Sequence, residues 1–239
     1  MLKKLFGKKR EIIGNGIGLP AGADHHRAYV GPPEDYDLIA AMVFNLLTTV
    51  GLRQHHRLLD IGCGSLRVGR LFIPYLEKGN YIGVEPNRWL VQDGIDCEIG
   101  KDLLKMKSPV FSYTASLEEF TTPLELDFAV AQSIFSHCSK KLIDKWLYDI
   151  APHLKETGVF FATFLTDDVD FEGEGWIYPG CVKFRPETLD ELAQRYGLRF
   201  AVLDWFHPRQ TWAVFAKPEY PLGRLLAGEL SWNRLQSPR

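Results

Sequence analysis

The sequence predicts an α/β fold: a mostly parallel sheet covered by helices and finished by an antiparallel hairpin. Three observations carry that expectation. Short apolar runs alternate with stretches of helical periodicity from residue 37 to residue 196, the order that builds a parallel sheet with crossover helices. The first apolar run leads directly into Gly62-Cys63-Gly64, a turn tight enough to pass a strand into a helix. The last two runs, Arg199 to Trp205 and Thr211 to Ala216, are joined only by Phe206-His207-Pro208-Arg209-Gln210. So short a link requires antiparallel neighbours, because a parallel crossover needs about a dozen residues.

Taken in order, residues 1–34 are rich in Gly, Pro and polar groups and read as an irregular tail and possible lid. Pro32 and Pro33 end any local helix, and Glu34 or Asp35 can open the next. Asp37 to Leu52 reads as an amphipathic helix, with Leu38, Met42, Leu46 and Thr49 near helical spacing and Val43 and Leu47 beside them. Arg57 to Ile61 is a first strand, Gly62 to Ser65 a turn and Leu66 to Tyr75 a helix. Tyr81 to Val84 is a second strand, ending at Glu85 and Pro86, and Asn87 to Asp93 starts a helix. Val110 to Thr114 and Asp127 to Ala131 are strands three and four, and Lys140 to Leu154 is helical. Gly158 to Leu165 is uniformly apolar, as a strand buried on both faces should be. An irregular stretch, Thr166 to Arg185, precedes a helix opened by Pro186. The main domain is expected over 35–218, with 219–239 a peripheral tail.

Composition narrows the class. The 239 residues are 46% hydrophobic and 24% charged, a globular balance. The net charge of −2 gives no global pull toward nucleic acid or an anionic membrane. Cys63, Cys97, Cys138 and Cys181 lack zinc-like spacing, and no metal is expected. They suit a reducing compartment. The longest apolar stretch, Leu38 to Val50, is too short and too polar to span a bilayer. A cytoplasmic protein is expected, with oligomeric state left open. The basic start, MLKKLFGKKR, reads as a solvated tail, with weak contact to a membrane surface as the alternative.

The chemistry centres on Leu58-Leu59-Asp60-Ile61-Gly62-Cys63-Gly64-Ser65. Glycines there let a ligand approach backbone atoms closely. Glu85 ends the next strand, 21 positions beyond Gly64, where a carboxylate can accept from both ribose hydroxyls of a nucleoside cofactor. A dinucleotide fingerprint would want glycine at position 67, which is Arg67. A Tyr-x-x-x-Lys pair for hydride transfer is also absent.

Asp60 to Gly64 resembles motif I of class I S-adenosylmethionine-dependent methyltransferases, and Gly83-Val84-Glu85-Pro86 resembles their motif II. The resemblance covers roughly residues 35–217. It implies a Rossmann-like seven-stranded sheet, S-adenosylmethionine as cofactor and methyl transfer as the reaction. Carried over by position, Gly62, Cys63 and Gly64 pass beneath the amino-acid moiety, Asp60 orients it through water, and Glu85, followed by Pro86, holds the ribose. The acid that the family often places near the adenine is missing; Ala115 and Ser116 stand in that region. Gln132 follows the fourth strand and can contact cofactor or substrate. His137, nearby, is the candidate general base for an acceptor hydroxyl. The Asn/Asp-Pro-Pro-Tyr sequence of base and amide N-methylation is absent there.

Acceptor contacts are expected from the irregular segments: His26, Tyr29 and Tyr36 near the N-terminus, and Trp176 and Tyr178 in the late loop. His207 and Arg209 lie on the last hairpin, expected to face away from the chemistry. Asp167, Asp168 and Asp170 read as a solvated acidic loop rather than a cation site. The favoured acceptor is a small-molecule hydroxyl or amine. Two alternatives stay open: a protein or RNA acceptor, and a non-catalytic adenosylmethionine-binding subunit.

Overall fold

Each central strand of the computed structural model, which describes residues 14–226, sends alternate residues to opposite faces. Phe128 and Val130 join one apolar cluster while Ala129 and Ala131 join the other. Such strands are mostly apolar, because neither face meets water, and Asp60 of β1 is a buried exception. The strands are β1 (Leu58–Ile61), β2 (Tyr81–Val84), β3 (Val110–Ser112), β4 (Leu126–Ala131), β5 (Leu154–Phe164), β6 (Arg199–Leu203) and β7 (Thr211–Ala216). They form one sheet in the order β3-β2-β1-β4-β5-β7-β6. β7 runs antiparallel to both neighbours, and the first five strands run parallel.

The helices are α1 (His26–Tyr29), α2 (Tyr36–Thr49), α3 (Gly69–Tyr75), α4 (Arg88–Gly94), α5 (Lys101–Lys107), α6 (Lys140–Ile150), α7 (Pro186–Gln194) and α8 (Leu222–Leu226). One face of the sheet is covered by Ile39, Leu46 and Phe72 of α2 and α3, the other by Ile143, Leu147 and Leu189 of α6 and α7. Among the described residues no helix is long and apolar enough to cross a membrane.

Several expectations shift. The buried stripe of α2 runs through Ile39, Met42, Val43, Leu46 and Leu47, while Leu38 is exposed. α3 begins at Gly69, not Leu66, because Leu66 has φ +62° and still belongs to the turn. α5 was not expected; it buries none of its side chains fully, which leaves little periodic signal. The segment after Pro218 is not peripheral at its start, since Tyr220, Leu222 and Leu225 are buried in the first cluster. The basic start of the chain lies outside the described residues.

Candidate active site

The carboxyl ends of β1 and β2 hold the glycine turn and its acid side by side. Gly62 N–H and Cys63 N–H both donate to Val84 O, at 2.8 and 3.1 Å, which ties the turn to the end of β2. Gly62 and Gly64 have φ of +67° and +53°, a region that costs a side chain. A Cβ would also displace neighbours: on Gly62 it would lie 2.1 Å from Ile134 Cδ1, and on Gly64 2.7 Å from Val30 Cγ1, so those side chains would have to move. Glu85 Oε2 accepts from Gly64 N–H at 3.2 Å, and Oε1 accepts from Asn87 N–H and Nδ2, each at 2.8 Å. Burial pushes this carboxyl above its usual range, while the bonds from Asn87 and Gly64 hold it back. Pro86, beside it, is exposed.

Asp60 is buried in β1, and its Oδ2 accepts from Tyr81 Oη at 2.7 Å. Burial raises its carboxyl to about 7, against the opposing pull of the Tyr81 hydroxyl. Cys63 is buried too, and burial pushes its thiol up, so it serves as a packing group there.

Beyond β4 the chain turns through Ser133, at φ +59°, whose N–H donates to Thr163 Oγ1 at 2.7 Å. Gln132 Oε1 accepts from Arg67 Nη2, and Gln132 Nε2 donates to Ser133 Oγ at 2.8 Å. Gln210 Nε2 donates to the same Ser133 Oγ at 2.8 Å, and His207 Nε2 lies 3.3 Å from Gln132 Nε2. The last hairpin therefore meets the candidate-site residues after β4, contrary to the expectation that it faces away. β6 runs parallel to β5 because β7 reverses against both, so the turn between β6 and β7 returns to the carboxyl edge. There, burial and the Arg67 and Arg209 charges push His207 down to about 3, which keeps it neutral. Arg209 pairs with Asp35 at 2.5 Å.

His137 joins two loops. Its carbonyl accepts from Ile177 N–H at 2.8 Å, and its Nδ1 lies 2.6 Å from Gly180 O. A carbonyl only accepts, so Nδ1 carries the proton and the neutral ring keeps its lone pair on Nε2. Burial lowers the pKa of this histidine, partly offset by the carbonyls of Gly180 and Ile177. Trp176 and Tyr178 pack on the ring with centroids at 5.3 and 5.0 Å, and they stack on each other. Tyr178 Oη donates to Tyr29 O, and the Tyr29 ring meets Trp89 at 5.0 Å. Burial pushes the Tyr178 phenol up to about 12. Trp176 remains half exposed, at 50%.

Thus Tyr29, His137, Trp176 and Tyr178 come together. His26 and Tyr36 do not join them. His26 Nε2 donates to Glu98 Oε1 at 3.0 Å in a buried ion-pair cluster that fastens α1 to the body. Tyr36 is fully buried; its hydroxyl donates to Ser65 O at 3.1 Å and so props the glycine turn from behind. Ala115 is exposed, and Ser116 O accepts from Thr114 Oγ1 at 2.8 Å, within the loop after β3. Asp167 pairs with Lys183, and Asp170 with Arg185 and Thr188, which closes the 166–185 loop on itself. Sequence reasoning missed Arg67, Ser133, Thr163 and Gln210. Only the non-glycine at position 67 was a visible signal.

Strand order 3-2-1-4-5-7-6 with β7 reversed, a glycine turn after β1 and an acid ending β2 define the class I methyltransferase fold. The particular solved structures it is similar to are distant in sequence. Magnesium protoporphyrin IX methyltransferase (ChlM) of Synechocystis PCC 6803, with bound SAH, matches with a TM-score of 0.57 at 10% identity, over 77% of this chain and 84% of that one. The DhpI–SAH complex matches with a TM-score of 0.55 at 14% identity, over 78% and 88%. The [4+2]-cyclase SpnF matches with a TM-score of 0.57 at 18% identity, over 76% and 81%. No protein-family model and no curated protein matches the chain.

Proposed function

We propose that this protein binds S-adenosylmethionine and transfers its methyl group to a hydroxyl or amine of a small molecule. The observation that carries the reading is Glu85, a buried carboxylate fixed by Gly64 and Asn87 beside a turn whose positive φ values favour glycine. Oε1 accepts two hydrogen bonds and Oε2 one, so Oε2 keeps a lone pair for a ribose hydroxyl. The bound cofactor supplies an already activated methyl group. The chain's own task is to hold the acceptor in line, exclude water and take a proton from a hydroxyl.

His137 is the group for that proton. Its Nδ1–H is held by Gly180, which leaves Nε2 as the nitrogen with the lone pair, and its lowered pKa keeps it neutral near pH 7. Trp176 and Tyr178, stacked beside it, offer flat apolar faces to an acceptor ring. These aromatics favour a small acceptor over a macromolecule, and the near-neutral charge agrees. A cytoplasmic setting fits the same reading. A second reading is a site that binds the nucleoside without methyl transfer; it draws on the similarity to a cyclase.

Calorimetric titration with adenosylmethionine, with NADH as control, tests the cofactor. We expect saturable binding that Glu85→Ala weakens at least about tenfold; preference for NADH would refute the reading. His137→Gln should retain cofactor affinity and lose turnover of a hydroxyl acceptor by about a hundredfold or more. In the wild type the acid limb of kcat/KM should lie below 6.5, the ordinary histidine value, because burial favours the neutral ring. Full turnover by the variant would remove His137 from the chemistry.

A further inference from the structure

Arg67 is a buried cation with no ion pair of its own. It is 7% exposed and leaves the glycine turn three residues after Gly64. Its Nη1 donates to Val30 O at 2.9 Å and its Nη2 to Gln132 Oε1. Both partners are neutral. Among the described residues no carboxylate forms an ion pair with it, and Arg209, the neighbouring cation, is already paired with Asp35. Asp60 favours the cation from beyond ion-pair distance, but it accepts from Tyr81 and burial holds its carboxyl up to about 7, so it offsets the guanidinium only in part. A guanidinium stays charged at neutral pH, and a buried charge without a counterion is costly. A ligand carboxylate offsets that cost, and the planar fork of arginine suits one.

We propose that Arg67 is the carboxylate-binding residue of this site, its guanidinium taking a ligand carboxylate at the carboxyl edge between β1 and β4. The proposal rests on the cofactor reading above for one of its two sources, the methionyl carboxylate; the other source is a carboxylate on the acceptor. A second feature lies in the same network. Gln210 Oε1 is buried and has no hydrogen-bond partner, while the amide nitrogen of that residue is fixed on Ser133. An unpaired amide oxygen is the acceptor that an α-ammonium group needs. Position 67 is where a dinucleotide site needs glycine for close helix contact with a pyrophosphate. Here the same position projects a cation into the site, as a carboxylate-bearing ligand requires.

The test compares S-adenosylhomocysteine with 5′-methylthioadenosine, which keeps the nucleoside and sulfur but lacks the amino-acid end. Both are titrated calorimetrically into wild type, Arg67→Gln and Gln132→Glu, with folding checked by circular dichroism. Gln132→Glu sets a carboxylate of the chain itself against the guanidinium, so it competes with a ligand without removing the arginine. If the cofactor is the source, both variants lower the preference for S-adenosylhomocysteine about ten- to hundredfold and leave methylthioadenosine binding nearly unchanged. In a second arm malonate is added to free and S-adenosylhomocysteine-saturated protein and thermal stability is read. An unchanged nucleoside preference, with malonate stabilising wild type but not Arg67→Gln, assigns the carboxylate to the acceptor. No effect of either substitution in either arm overturns the proposal. Should wild type bind neither nucleoside, the cofactor reading fails by itself, and the malonate arm alone decides on Arg67.

Discussion

Asp60 shows how one residue can carry a site's signature and still be an unfavourable group in the fold. Its carboxyl is buried at the end of β1, and burial raises it from 3.8 to about 7. A carboxyl raised in the folded state contributes stability that is full below pH 3.8 and is lost as pH rises to about 7, because the unfolded chain releases that proton first. Asp60→Asn should therefore cancel this part of the pH dependence. Comparing thermal midpoints of variant and wild type from pH 4 to 8, we expect the variant to gain on the wild type as pH rises, then level off. A constant difference across that range would mean that Asp60 ionises normally. Residues of this kind are legible in sequence because Asp-x-Gly-x-Gly is contiguous. Arg67 was visible only as a missing glycine, since its partners Val30 and Gln132 are 37 and 65 positions away.

At the scale of elements, the glycine turn depends on how closely α4 packs against it. Gly94, the last residue of α4, would place a Cβ 2.4 Å from Ser65 O, which is backbone and cannot swing aside. Gly94→Ala should cost about 1–3 kcal/mol by forcing the helix away from the turn. It should also weaken nucleoside binding, since Ser65 adjoins Gly64. Gly223→Ala in α8 is the control: nothing lies within 4 Å of its Cβ, and stability should hold or rise slightly. Denaturant unfolding and calorimetry check both variants. Element order could be read from periodicity, yet α5 was missed because a helix without buried side chains leaves no clear pattern.

Across the whole molecule, Glu98 is a carboxylate that gathers three of the hydrogen bonds fastening the N-terminal segment to the sheet domain. Glu98 receives His26 Nε2 at 3.0 Å, Arg27 Nε at 2.8 Å and Arg27 Nη2 at 3.1 Å. Burial alone would raise its carboxyl, but the bonds from His26 and Arg27 and the nearby Arg27 and Arg70 charges outweigh burial and bring it below 4.5. A depressed carboxyl gives stability that is present above its unfolded value and is lost as pH falls through the folded one. Glu98→Gln should cost about 1.5–3 kcal/mol at neutral pH. Hydrogen exchange should then quicken over residues 25–30 while β1 and β4 stay protected. Equal loosening throughout would mean that the segment and the sheet unfold as one unit. The segment also supplies Tyr29, which meets Tyr178 of the late loop, so its attachment bears on the aromatic cluster around His137.

Sequence by itself determined the alternation of strands and helices, the antiparallel last pair and the turn with its acid, because each of these is written in local spacing: apolar runs, a five-residue link, Gly-x-Gly and the residue ending β2. Only the tertiary structure decided which residues share the site. It turned the 206–210 loop toward Gln132 and Ser133, tied His26 to Glu98 and Tyr36 to Ser65, and brought Arg67 to Gln132 and Tyr29 to Tyr178. Those contacts join segments up to 149 positions apart. Long-range contacts of this kind arise from strand order and from which face each loop leaves the sheet, and no local pattern encodes either.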